Sequence, residues 1–88
     1  MRTNYNGSMY YVYVLKSVID QKLYVGHTND LIHRIKEHNN GLVKSTKLRK
    51  PFKLIYYEAS NFLEDAVRRE KALKTGFGRA YLKRRLKE

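Results

Sequence analysis

The chain has no cysteine and no tryptophan, a single proline, and three scattered histidines among 88 residues. Without cysteine, neither a disulfide framework nor a thiolate metal site can form. The histidines do not fall at zinc-ligand spacing either. Long apolar runs are also missing. The longest, residues 9–15, is far too short to span a bilayer, and no signal peptide opens the chain. A soluble, cytoplasmic protein with no membrane partner is the resulting expectation. Acidic residues are the other scarcity: eight Asp and Glu face nineteen Lys and Arg, a net charge of +11. That much positive charge on a small body favours a polyanionic partner, nucleic acid before membrane. Twenty Leu, Ile and Val with three Phe can fill one core and not two, so a single domain is expected. Eight tyrosines stand out. Each is a stackable ring with a hydroxyl that can hydrogen-bond and titrate.

Residues 1–8, MRTNYNGS, are polar and aperiodic and read as a tail, native or an expression remnant; residues 9–88 form the domain. Residues 10–16 and 23–27, rich in Tyr and Val, read as strands joined by a polar turn. Asn29 or Asp30 can cap a helix running to about Asn39, with Leu31, Ile32 and Ile35 as its apolar stripe and Asn40-Gly41 as its stop. Residues 42–51 form a basic loop closed by Pro51, and residues 52–59 a third strand. Ser60 or Asn61 can cap the next helix, with Glu64 completing a capping box after Asn61. That helix carries Leu63, Ala66, Val67 and Leu73 on one face and stops near Gly76. A last helix, from about Gly78 to Leu86, buries Tyr81, Leu82 and Leu86 and exposes Arg79, Lys83, Arg84, Arg85 and Lys87. The order β-β-α-β-α-α predicts an α/β fold, a small three-stranded antiparallel sheet flanked by helices.

Four features do not fit a sequence that only has to fold. Glu70 falls inside an apolar stripe, where a carboxylate is costly unless it is paired or binds a metal. Position alone supports both an edge pair with a cation and a metal ligand. Tyr13 and Tyr24 can share one sheet surface, with Gly26 leaving space beside them. They are either half-buried sheet residues or two phenols lining a pocket. Asp30, Arg34 and His38 lie four apart and form a polar ridge. It is either a solvated face with an Asp30–Arg34 pair or a phosphate grip. Loops are usually polar, but the loop after that helix is one-signed, with Lys44, Lys47, Arg49, Lys50 and Lys53, a sign of backbone-phosphate binding.

These positions share a pattern. Tyr11-Val12-Tyr13 followed by Tyr24-Val25-Gly26, Arg34 ten residues after Tyr24, His38-Asn39 and then Glu70 resemble the GIY-YIG nuclease signature. The stretches from Thr46 to Glu58 and from Arg68 to Gly76 resemble its small stand-alone branch. That branch is similar to the amino-terminal nuclease domain of the bacterial excinuclease incision subunit. The likeness covers about residues 9–87, nearly the whole chain. Tyr11 stands where the name-giving glycine would be, and Leu82-Lys83-Arg84 offers no Asn where larger members carry one.

The resemblance implies a metal-dependent DNA endonuclease, with DNA rather than RNA as partner and repair as its setting by analogy. Glu70 would be the sole protein ligand of one Mg²⁺ or Mn²⁺, and Mg²⁺ commonly takes few carboxylates and keeps several waters. Tyr24 would take a proton from the attacking water, Arg34 would hold the phosphate, Tyr13 would orient Tyr24 or the water, and His38 would assist at the phosphate. A free phenol is a poor base until cations lower its pKa; Arg34, the metal and His27 are at hand. His27, Lys44, Lys47, Arg49, Lys50, Arg79, Lys83 and Arg84 would contact nucleic acid, with Gly26 shaping the site. A partner protein supplying specificity is expected, since such nucleases usually borrow it from an attached domain. The alternative is a binding module of the same fold with weak catalysis or none. A basic ribosome-associated protein is a third option that composition allows.

Overall fold

Alternating tyrosine and valine along the first strand sets the layering of the molecule. In the computed structural model, which describes residues 9–87, strand β1 (Tyr10–Ser17) runs between β2 (Leu23–Thr28) and β3 (Phe52–Ser60). The three form an antiparallel sheet of order β2-β1-β3. Successive side chains of a strand point to opposite faces. Val12 and Val14 therefore point one way, onto Val25, Ala66, Leu73 and Leu82. Tyr13 and Leu15 point the other way, onto Phe52, Tyr24, Leu31 and Ile35. Helix α1 (Leu31–Asn39) covers the tyrosine face, and α2 (Leu63–Leu73) and α3 (Gly76–Arg85) cover the valine face. The expected element order and sheet are those observed. The proposed tail, 1–8, lies outside the described residues.

The sheet is tied to its loops at specific points. Asn39 at the end of α1 accepts from Phe52 N (2.7 Å) and donates to Phe52 O (3.2 Å), pinning the start of β3 to the helix. Gly41, at φ 75°, supplies the left-handed turn after α1. Gly78 is buried where α3 abuts α2. A Cβ there would lie 2.2 Å from the Ala72 carbonyl oxygen and 2.4 Å from Leu73 Cα, so only glycine permits that junction. On the valine face Arg69 grips Glu58 (Nε–Oε1 2.9 Å), and Tyr56 donates to the same carboxylate at 2.6 Å.

Several local expectations need correction. Asp30 does cap α1, accepting from His33 N at 3.1 Å. Its carboxylate therefore serves the helix end, and Arg34 pairs with Glu37 instead (3.0 Å). Ile32 is 70% exposed. A single sheet beneath α1 takes Leu31 and Ile35, and Ile32 lies about 100° round the helix from Leu31. No capping box forms at α2: its N-cap is Phe62, without a side-chain cap bond, and Ser60 Oγ donates to Phe62 O at 3.3 Å instead. Leu63, at the first turn, is 45% exposed. Helix α2 ends at Leu73, and α3 starts at Gly76, two residues before the expected Gly78, with Thr75 capping it by accepting from Gly78 N.

Candidate active site

Strand β2 is an edge strand, and at that edge the two covered faces of the sheet meet. Tyr24 and Gly26 belong to the α1 face; Val25 and His27 belong to the α2 face. Tyr13 lies directly opposite Gly26, and Tyr24 lies opposite Leu15, so the two phenols are diagonal neighbours with ring centroids 6.3 Å apart. The space beside them that Gly26 was expected to leave open is filled by Tyr13 itself. A Cβ on Gly26 would sit 2.6 Å from Tyr13 Oη, 2.7 Å from its Cζ and 3.1 Å from Tyr24 Cε2. Gly26 is needed because a ring crosses over its backbone.

Tyr13 is fully buried, and its hydroxyl lies 2.8 Å from His38 Nε2; His38 Nδ1 lies 2.8 Å from Thr46 Oγ1, which is 3.4 Å from the Val43 carbonyl. A carbonyl only accepts, so the chain has one consistent direction. Thr46 donates to Val43 O, His38 Nδ1–H donates to Thr46, and Tyr13 O–H donates to Nε2. This makes His38 a neutral imidazole. Burial pushes its pKa down to about 4, assisted by the positive charge of Arg34 and opposed by Glu37. His38 therefore stands behind Tyr13 with no exposed surface and does not reach a phosphate, contrary to the expectation. Burial also raises the Tyr13 hydroxyl to about 12, against the lowering effect of its hydrogen bond with Arg34.

Arg34 is bound on both sides. Interactions with the Tyr13 hydroxyl and with Glu37 hold it firmly protonated. A guanidinium has five N–H donors, so donors remain for an anion, and about a third of the side chain is exposed. Arg34 and His27 line the same depression, about 520 Å³, between the start of α1 and the first turn of α2. His27 Nδ1 bonds a Glu70 carboxylate oxygen, and the other Glu70 oxygen takes Lys74 Nζ at 2.6 Å. Glu70 is only 17% exposed. Burial favours its neutral form, but Lys74 and His27 together hold its pKa below the ordinary carboxylate value. The stripe carboxylate is thus ionised, and it is paired at the helix edge.

Among the described residues no three His, Cys, Asp or Glu cluster as a metal cage. Glu70 is a hard oxygen donor on a partly open rim, which suits one Mg²⁺ or Mn²⁺ that keeps waters in the rest of its shell.

The basic residues divide between the two faces. Lys44, Lys47 and Lys50 are exposed on the loop after α1; Arg79, Lys83 and Arg84 are exposed on α3. Arg79 and Lys74 line a groove of about 330 Å³ with Tyr24, against Leu23 and Val25. Arg49 is the exception. It is pinned to Asp20 (2.8 Å) and to the Lys22 carbonyl (3.2 Å) and lies over the Phe52 ring, so it ties the loop to the hairpin turn. Thr46, inside that loop, was missed as a site residue. The available signal was Tyr13, because a buried phenol needs a hydrogen-bonding chain behind it.

The GIY-YIG catalytic domain matches residues 9–87. The chain belongs to the GIY-YIG family. A UPF0213 protein of Clostridium perfringens is 48% identical over 67 residues, covering 75% of this chain and 71% of that protein. One from Staphylococcus saprophyticus is 40% identical over 67 residues, covering 75% and 80%. The solution NMR structure of a UPF0213 protein from Bacillus halodurans shares the fold, with TM-score 0.53 and 35% identity over 84% of this chain and 81% of that one. This GIY-YIG domain thus has a nuclease-type fold. Among its described residues no helix is long and apolar enough to cross a membrane.

Proposed function

We propose that this GIY-YIG domain is a metal-dependent DNA endonuclease whose site is the β2 edge. The observation that carries the reading is Glu70. It is an ionised carboxylate in an otherwise apolar stripe, joined through His27 to the depression that Arg34 lines. The core has no need of that charge, whereas a phosphodiesterase does.

The roles follow from the hydrogen bonds. Burial keeps the Tyr13 phenol neutral. Tyr24, half-buried on the edge strand, is the phenol that water reaches. It is the general base that takes the proton of the water whose oxygen attacks phosphorus. Tyr13 donates its own proton to His38 and presents lone pairs to Arg34, so it positions the guanidinium that holds two phosphate oxygens. Glu70 would hold the divalent cation, with His27 or Lys74 giving way. When bound, that ion stabilises negative charge on the departing 3′ oxygen. The bond from phosphorus to that oxygen breaks, and the oxygen takes a proton from solvent water, leaving a 5′ phosphate and a 3′ hydroxyl.

The alternative, a binding module without catalysis, is favoured by one feature. Position 82 is a leucine buried in the core, and the stretch around it supplies no amide to the site. The two readings part in one assay. Purified protein is incubated with labelled single-stranded, nicked and branched DNA in Mg²⁺, Mn²⁺ or EDTA. Cutting that needs the metal supports the nuclease; binding without cutting supports the module.

A further inference from the structure

Helix α1 covers only part of the tyrosine face. It packs through Leu31 and Ile35 over Tyr13, Leu15, Tyr24 and Phe52. Beyond it, among the described residues, the sheet is exposed. Tyr57, the cross-strand partner of Tyr13, is 53% exposed, and Tyr11, two residues before Tyr13 on the same face, is half-buried. Their rings meet edge to face with centroids 6.0 Å apart. Ala59, opposite Tyr11, is small and exposed and raises no wall over the pair. Two aromatic rings are thus left exposed on the sheet beside Tyr13, whose hydroxyl engages Arg34.

The occupant follows from charge and continuity. The chain carries a net charge of +11, so a polyanion is the partner that its surface attracts. The open rings adjoin the proposed phosphate grip. Unpaired bases stack on exposed aromatic rings with little regard to sequence, whereas paired bases in a duplex already stack on one another. We propose that Tyr11 and Tyr57 form a stacking platform for unpaired bases of a DNA strand entering the Tyr13–Arg34 site. The platform makes single-stranded or splayed DNA the preferred substrate over continuous duplex. This rests on the nuclease reading of the same site.

The test is a binding titration by fluorescence anisotropy in EDTA, where nothing is cut. The probes are a labelled oligothymidylate, an abasic oligonucleotide of equal length and a duplex. Tyr57→Ala should weaken oligothymidylate binding about 5- to 100-fold, the value of one stacked base, and leave abasic and duplex binding within about two-fold. Tyr57→Phe keeps the ring and should bind like the unaltered protein. Loss of a similar size on the abasic strand, or no loss on oligothymidylate, overturns the platform. Cleavage is not read, so failure of the platform is distinct from failure of the nuclease reading. An inactive protein that still prefers bases would sink only the latter.

Discussion

Gly26→Ala introduces one methyl group where the site is tightest. The new Cβ would meet Tyr13 Oη at 2.6 Å, Tyr13 Cζ at 2.7 Å and Tyr24 Cε2 at 3.1 Å. Tyr13 cannot retreat, because it is fully buried and its hydroxyl is held by His38. Elsewhere in a strand, replacing Gly by Ala would gain about 0.5–1 kcal/mol. Here overpacking costs about 1–3 kcal/mol, so the net expectation is a loss of about 1–2 kcal/mol. For a domain of this size that lowers Tm by about 5–15 °C. Gly76→Ala is the control: a Cβ there meets nothing within 4 Å, and stability should hold or rise slightly. Both tyrosines are displaced at once, so cleavage by the folded Gly26→Ala variant should also fall, about 10- to 100-fold. In a Tyr13→Val background the clash with the ring disappears and the Gly26→Ala penalty should shrink by about 1 kcal/mol or more. Thermal melts of the four proteins and the double variant decide it. If Gly26→Ala is as stable as Gly76→Ala, or costs the same with and without Tyr13, the packing argument is wrong.

Tyr24→Phe should slow cleavage on the order of 10²–10⁴-fold, whereas Tyr13→Phe should slow it less, since Arg34 keeps Glu37; the reverse order in single-turnover rates would exchange their roles. His38 has a folded pKa near 4 against an ordinary 6.5, so the unfolded chain binds its proton first as pH falls. Stability from this group is complete above about pH 6.5 and declines toward pH 4. Urea titrations should show about 2 kcal/mol lost between pH 7.5 and 5, and His38→Gln should remove that loss; an unchanged pH profile in the variant would refute it. DNA binding through about four to six of the exposed cations should give a log–log salt slope of about −3 to −5, and a flat response would contradict the phosphate-contact reading.

How much was legible depended on the range of the interaction. The first two strands were visible because Tyr and Val are enriched in residues 10–16 and 23–27 on either side of a polar turn, and α1 because Asp30 precedes an apolar repeat. The site residues stood out because each broke a local rule, Glu70 most clearly. Tertiary partners were not legible. The proton chain from Tyr13 to Val43 spans thirty residues, so His38 read as a ridge residue beside Arg34 when it is buried. Arg49 read as a phosphate cation because its carboxylate partner, Asp20, lies in a turn far back in the chain. At α2 the Ser60 hydroxyl turns to the Phe62 carbonyl rather than capping the helix, whose N-cap is Phe62. Periodicity says nothing of such a choice between two nearby acceptors and donors.

The central claim is that the β2 edge cuts DNA and that Glu70 is the residue that holds its metal. Glu70→Gln keeps the shape and removes the charge that Lys74 and His27 hold in place. Cleavage of labelled DNA in Mg²⁺ should fall to the EDTA background in this variant, with its melting curve and its DNA affinity in EDTA little changed. If Glu70→Gln cuts as fast as the unaltered protein, Glu70 is only a paired helix charge, and the account of the site is contradicted.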